Sequence, residues 1–306
     1  MSLALIIPDR KLDDLQQRLA QALPDTEIEV WPQIRNPAAV EFAVVWKQPH
    51  GSLASLPALQ AVQCFGAGVD AILADPTLPA LPIARIVDPT LTDTMVRYLD
   101  GVVSYYRLRL DVFSMQQQQK LWKPKSPRRI AHIAVLGLGE LGAAAATHFA
   151  SLGYSVSGWA RTPKQLEHVS CFHGAEGLTK AVADADIVIC LLPLTPATQQ
   201  MLSEDFFSSL KPGAIFINVA RGDIVDETAL LAALDNCRLQ AACLDVFCQE
   251  PLPAEHPLWN HPAVLITPHV SAVTDVGAVV EQIADNYRRS QRGEALLNPV
   301  DIGRGY

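Results

Sequence analysis

Gly137-Leu138-Gly139-Glu140-Leu141-Gly142 is a GxGxxG pattern set between a β-rich apolar run at 130–136 and an apolar helical run at 141–152. The order of strand, glycine turn and helix leaves few folds open. Gly137 would permit a tight turn, Gly139 would let the backbone approach a pyrophosphate, and Gly142 would let the helix pack close to the strand. The helix N-terminus would offer free N–H groups and a positive dipole end to phosphates. The pattern alone is weak, and its position carries the inference. It makes Gly137, Gly139, Glu140, Leu141 and Gly142 candidate cofactor-binding residues.

The rest of the chain fits that beginning. Further strand candidates lie at 154–159, 187–192, 214–219, 239–247 and 263–267, mostly separated by helical segments. This alternation predicts a doubly wound parallel sheet. Upstream, apolar runs at 3–7, 42–46, 61–65 and 83–87 read as strands, and 11–23 reads as a helix with Leu12, Leu15 and Leu19 on one face. A long helical stretch is expected over 91–122, with Gln116–Gln119 as an exposed face. The basic, proline-broken segment 123–129 reads as a solvated loop, and a last helix is expected over 275–292. The reading is α/β, with two doubly wound parallel-sheet domains. One is discontinuous, 1–94 with 278–306, and the other is 95–277.

Composition narrows the function classes. The chain of 306 residues carries 24 Lys and Arg against 32 Asp and Glu, a formal net charge of -8. An acidic body disfavours nonspecific binding to nucleic acid or an anionic membrane. The opening MSLALIIPDR lacks a basic n-region, and Pro8 ends its apolar run early, so no secretory leader and no membrane span are expected. None of the 6 cysteines forms a CxxC pair. They read as reduced, mostly buried thiols of a cytoplasmic protein with no metal site.

The end of the strand after the glycine turn discriminates between nicotinamide cofactors. An acid there would bind a ribose 2′-hydroxyl, whereas an arginine accommodates a 2′-phosphate. The sequence reads Trp159-Ala160-Arg161-Thr162, with Ala160 where the acid usually stands. Arg161 and Thr162 would give a 2′-phosphate a guanidinium fork and a hydroxyl. NADPH is therefore the preferred cofactor, with NADH possible.

Three more segments fall at expected strand ends, where open α/β sheets place ligands. They are Asn218-Val219-Ala220-Arg221-Gly222, the run 244–253 from Asp245 through Glu250, and Thr267-Pro268-His269. Singly, Arg221, Glu250 and His269 have ordinary surface readings. Together with the GAGVD turn at 66–70 and LLPLTPAT at 191–198, they resemble the D-isomer-specific 2-hydroxyacid dehydrogenase family over nearly the whole chain. Val44-Val45-Trp46, the 159–162 segment, TPHVSAVT at 267–274 and the ending Arg304-Gly305-Tyr306 are similar to its glyoxylate/hydroxypyruvate reductase A branch.

The resemblance implies a flavodoxin-like substrate domain, a Rossmann dinucleotide-binding domain and a cleft between them. It implies NADPH-dependent reduction of small 2-keto acids, glyoxylate to glycolate and hydroxypyruvate to D-glycerate. His269 would be the general acid, Glu250 would favour its protonated form, and Arg221 would hold the substrate carboxylate and carbonyl oxygen. Ala67, Gly68 and Val69 would bind the carboxylate through backbone N–H groups, since a glycine-rich turn can form an anion nest. Asp245 would face the nicotinamide carboxamide, and Leu192, Pro193 and Ala220 would line the cofactor site. Trp46 and Met95 would border the substrate or belong to the core. A homodimer is the family expectation. The alternatives are a dehydrogenase for a bulkier 2-keto acid and a non-catalytic dinucleotide sensor. Glu140 and Arg97 depart from the family pattern, and a carboxylate at 140 opposes a pyrophosphate unless it faces solvent.

Overall fold

The computed structural model describes residues 2–8 and 10–305. In chain order the elements are β1 (Ser2–Ile6), α1 (Asp13–Ala22), β2 (Glu27–Val30), β3 (Val40–Val45), β4 (Ala61–Cys64), α2 (Asp70–Leu73) and β5 (Ile83–Ala84). Next come α3 (Pro89–Arg107), α4 (Leu110–Gln118), β6 (His132–Leu136), α5 (Glu140–Ser151), β7 (Ser155–Ala160), β8 (Ser170–His173), α6 (Gly174–Val182) and β9 (Ile187–Cys190). The last are α7 (Glu204–Ser209), β10 (Ala214–Asn218), α8 (Glu227–Asp235), β11 (Leu239–Leu244), β12 (Val264–Ile266) and α9 (Val276–Gln291). The described residues up to Leu91 and from Thr274 onward form one compact unit, and Thr92–Val273 forms a second.

Each unit is built on a parallel sheet. The first has five strands in the order β2-β1-β3-β4-β5, and the second has seven in the order β12-β11-β10-β9-β6-β7-β8. The first order is flavodoxin-like and the second is the Rossmann order extended by one strand, so the expected fold class holds. The central strands are apolar on both faces because helices cover both. In β1, Leu3 and Leu5 pack with Leu15 and Leu19 of α1 and with Val279 and Ile283 of α9. Ala4 and Ile6 turn to the other face, against Ala43, Val45 and Val62. In β6, Ala134 and Leu136 serve one core and Ile133 and Val135 the other. Burying each large aliphatic side chain contributes about 1.5–3 kcal/mol. A buried amide pair fixes α9 to its sheet: Asn286 Nδ2 donates to Gln63 Oε1 at 2.7 Å.

Several elements differ from the sequence reading. The edge strands β2 and β8 were not expected. β2 reads Glu-Ile-Glu-Val and β8 reads Ser-Cys-Phe-His, so neither carries an apolar run. Glu29 of β2 is nonetheless buried and accepts from Ser2 Oγ at 3.3 Å. The stretch 91–122 is two helices, broken where Arg109 takes a left-handed φ of 61°. Strand 83–87 contracts to two residues. Gln116 is buried, so the glutamine run is not wholly an exposed face. Of the six cysteines, Cys64, Cys190 and Cys243 are buried, whereas Cys237 and Cys248 are exposed.

The basic segment 123–129 holds one residue that is not solvated. The Arg128 side chain, 7% exposed, makes a bidentate pair with Asp111, Nη1 to Oδ1 at 2.9 Å and Nη2 to Oδ2 at 2.6 Å. Nη1 also donates to the Tyr106 carbonyl at 2.6 Å. This arginine ties the loop back onto α3 and α4. Arg128→Ala would leave Asp111 partly buried without its cation. Urea unfolding should detect a loss of about 2–3 kcal/mol, whereas Arg129→Ala should change stability by under about 0.5 kcal/mol.

Candidate active site

All strands of the second sheet run parallel, so the segments that leave their C-terminal ends share one edge. β6 lies between β7 and β9, and the chain order reverses at the β6–β9 junction. Crevices at such junctions are where open α/β sheets take ligands. The turn 137–142 leaves β6 at that point, and Leu192 and Pro193 leave β9. Asn218 to Arg221 leave β10, Asp245 to Glu250 leave β11, and Thr267 to His269 leave β12.

The glycine turn meets the steric demands of a dinucleotide cradle. A Cβ on Gly142 would come 1.7 Å from the Gly137 carbonyl oxygen, so no other residue lets α5 start so close to the turn. A Cβ on Gly139 would meet nothing within 4 Å. The N-terminus of the twelve-residue α5 is therefore open to a phosphate. Glu140 is exposed, which lets water screen its carboxylate from that position. Arg97, the other departure, is exposed on α3.

Ala160, the last residue of β7, is buried and the following Arg161 and Thr162 are exposed, with no acid at the strand end. Trp159 is a core residue: its indole N–H donates to the Gly174 carbonyl at 2.8 Å and is not available to a cofactor. Leu192 and Ala220 are buried, and Pro193 is half-buried. Met95 is buried in the core beside Leu99 and Val219, which favours packing over a substrate role.

The three polar side chains of the candidate centre are held by their neighbours. Buried Asn218 closes the turn after β10, with Oδ1 accepting from Ala220 N–H at 3.1 Å and Nδ2 donating to the Arg221 carbonyl at 3.0 Å. Arg221 Nη1 donates to the Ala220 carbonyl at 2.6 Å. A Cβ on Gly222 would lie 1.9 Å from the Phe247 carbonyl carbon, so this glycine lets the Arg221 turn seat against the segment that leads to Glu250. Glu250 accepts from Phe247 N–H through Oε1 at 3.2 Å and meets His269 Nδ1 through Oε2 at 2.8 Å. With Nδ1 so engaged, Nε2 is the nitrogen left to act on a ligand.

His269 sits at a φ of 55°, a left-handed conformation that a non-glycine residue adopts at a cost. Asp245 holds it there. Its side chain is fully buried, and it accepts from Val270 N–H at 2.9 Å and Thr267 Oγ1 at 2.5 Å on Oδ1, and from Ser271 N–H at 2.9 Å on Oδ2. Its carbonyl accepts from His269 N–H at 2.8 Å. Thr267 has one proton and gives it to Asp245, so the 2.6 Å bond to Tyr98 must run from the tyrosine hydroxyl to the threonine. By the same count the Cys243 thiol donates to Tyr98, 3.4 Å away. Burial pushes the Cys243 thiol up to about 12 and raises the Tyr98 hydroxyl from its ordinary value, so both remain donors at neutral pH. The carboxamide role expected of Asp245 must therefore share oxygens that already clamp the His269 loop.

In the first unit the turn 66–69 follows β4. Val69 is buried, Ala67 and Gly68 are half-buried, and Cys64 Sγ lies 3.1 Å from the Gly68 carbonyl. Trp46, at the end of β3, is half-buried against Gly66. Asn218, Gly222, Thr267 and Tyr98 were not singled out from the sequence. The first three lie inside quoted motifs, whereas nothing local marks Tyr98.

A profile of the D-isomer specific 2-hydroxyacid dehydrogenase NAD binding domain matches residues 105–271. Glyoxylate/hydroxypyruvate reductase A of Serratia proteamaculans is 41% identical, with 94% of each chain covered. The protein of that name from Yersinia enterocolitica is 40% identical over 96% of this chain and 95% of its own. A D-isomer specific 2-hydroxyacid dehydrogenase from Xanthobacter autotrophicus, solved in complex with NADPH and MES, superposes with a TM-score of 0.94 at 40% identity, covering 100% of this chain and 99% of its own. An NADPH-dependent glyoxylate/hydroxypyruvate reductase from Sinorhizobium meliloti, solved with NADP and sulfate, gives 0.93 at 31% identity, with 100% and 99% covered. The fold and the edge constellation define an α/β dehydrogenase. The chain belongs to the D-isomer-specific 2-hydroxyacid dehydrogenase family.

Thr267→Val keeps side-chain shape and removes the hydroxyl between Tyr98 and Asp245. Hydrogen exchange at the amides of 269–271 should quicken about tenfold or more, and stability should fall by about 1–3 kcal/mol. Thr267→Ser, which retains the hydroxyl, should behave nearly as the parent in both measurements.

Proposed function

We propose that the chain is an NADPH-dependent reductase of small 2-keto acids, converting glyoxylate to glycolate and hydroxypyruvate to D-glycerate. The observation that carries the reading is the Glu250–His269 pair at 2.8 Å, on the same sheet edge as Arg221 and the open N-terminus of α5. The reductases named above carry this activity in their names, and the one from Sinorhizobium meliloti shares the fold.

In this reading a bound NADPH supplies the hydride. His269 Nε2 supplies the proton to the carbonyl oxygen, so C=O becomes CH–OH. Glu250 orients the ring through Nδ1 and so presents Nε2 to the substrate. Arg221 binds the carboxylate and carbonyl oxygen and stabilises negative charge developing on that oxygen. Backbone N–H groups of Ala67, Gly68 and Val69 would form a nest for a substrate carboxylate. The exposed N-terminus of α5 would take the pyrophosphate and Arg161 with Thr162 the 2′-phosphate. Trp46 would border the substrate.

We also propose a homodimer working in the cytoplasm. Leu108, Leu110, Met115 and Leu121 are each 40–49% exposed and Trp122 is 98% exposed, a run of large apolar side chains that a second copy would cover. All six cysteines are free thiols, which suits a reducing compartment. Among the described residues no helix is long and apolar enough to cross a membrane.

NADPH oxidation with glyoxylate, hydroxypyruvate, pyruvate and longer 2-keto acids tests the activity. His269→Ala should lower kcat by about 100-fold or more at neutral pH. Arg161→Ala should raise KM for NADPH about tenfold and leave KM for NADH nearly unchanged. Parent-like turnover of the histidine variant, or equal effects on both cofactors, would refute those roles. No turnover with any acid would favour a sensor. In sedimentation, Trp122→Asp should shift a dimer toward monomer, and a parent that already sediments as a monomer would sink the dimer.

A further inference from the structure

The five-stranded sheet has a reversal point of its own, between β1 and β3. The chain leaving β1 reaches Arg10, and the chain leaving β3 reaches Trp46. These two segments flank the place where a flavodoxin-like sheet opens a crevice for a ligand.

Three side chains meet there. The Arg10 guanidinium carbon lies 5.9 Å from the Trp46 ring centroid and 5.5 Å from that of Phe65. Phe65 is buried at the end of β4 and leads directly into the turn 66–69. Trp46 lies flush against the first residue of that turn, since a Cβ on Gly66 would come 2.2 Å from Trp46 Cζ3. The indole therefore bridges Arg10 and the turn assigned above to the substrate carboxylate.

Arg10 keeps an exposed side while packing on the two rings, and among the described residues no acid pairs with it. In a chain where acids outnumber bases 32 to 24, a cation at a sheet reversal point with no acid partner among the described residues calls for a reason. Two aromatic faces hold the guanidinium by cation–π attraction. They satisfy none of its N–H groups, whose fixed fork matches a carboxylate. Burial against the two rings also lowers Arg10 from its ordinary value.

We propose that Arg10 is a specificity-determining residue that receives a second negative group on the substrate, extending the range of this enzyme to 2-keto dicarboxylates. The inference rests on the 2-keto acid reductase reading. The first carboxylate would lie on the 67–69 turn, and the second, one or two carbons away, would meet the guanidinium across Trp46. Glyoxylate has no such group and would gain nothing from Arg10.

The test compares oxaloacetate with glyoxylate in the parent, Arg10→Gln and Arg10→Lys, with NADPH. Arg10→Gln should lower kcat/KM for oxaloacetate about 10- to 100-fold and that for glyoxylate by less than about threefold. Arg10→Lys should recover part of the oxaloacetate rate, since it keeps the charge and loses the fork. A binding readout runs beside turnover: D-malate, the hydroxy product, should raise Tm of the parent and not of Arg10→Gln. Equal losses on both substrates would overturn the proposal. So would a parent that reduces glyoxylate but neither reduces oxaloacetate nor is stabilised by malate. If the parent reduces no 2-keto acid, yet malate stabilises it through Arg10, the reductase reading falls and the dianion site stands.

Discussion

The Asp245 carboxylate is the interaction on which the candidate centre depends. It is fully buried at the end of an apolar strand, where an unpaired carboxylate would cost several kcal/mol. It is tolerated because three donors converge on it, two from the loop that follows His269 and one from Thr267. The same bonds hold His269 in a backbone conformation it would not choose alone. Burial and strain are thus two sides of one arrangement: the loop satisfies the carboxylate, and the carboxylate fixes the loop. Glu250 then needs only to orient the ring. Its own position follows from Gly222, the residue that lets the β10 and β11 exits press together.

Much of this was legible in the chain because it is local. The glycine turn announced itself by standing between a strand and a helix, and the close approach at Gly142 is the reason only glycine serves there. Buried central strands were legible because both faces are apolar. β2 and β8 were not, because an edge strand is only partly covered and Glu29 or His173 can sit in it. The break at Arg109 was hidden for another reason. A left-handed φ usually goes to glycine or asparagine, and an arginine there carries no warning.

The centre was legible in its reacting groups and not in its supports. Arg221, Glu250 and His269 are types with evident chemistry, so their spacing drew attention. Tyr98 stands 169 residues from Thr267, and its hydroxyl is committed only through the fold. Trp159 is the opposite case. It lies in a segment that looks like a cofactor contact, yet its indole N–H is spent on Gly174 inside the core. A motif identifies which backbone reaches a ligand, and it says less about where a large side chain in that motif points.

The net charge of -8 takes on a different meaning beside this geometry. Both ligands of the proposed reaction are anions, so long-range attraction by the whole protein cannot recruit them. Each positive feature must then be short-ranged and directed: peptide N–H groups at the start of α5, the guanidinium of Arg161 at the end of β7, and Arg221 beyond β10. Short-range binding of this kind depends on geometry more than on total charge, and it discriminates by shape. Arg10 belongs with these groups. Two aromatic rings hold it at the one reversal point of the first sheet, in a body whose field would otherwise repel a dianion. If bulk charge governed binding, the dianion would be the poorer ligand. If the directed groups govern it, the second negative charge becomes the feature by which the protein selects.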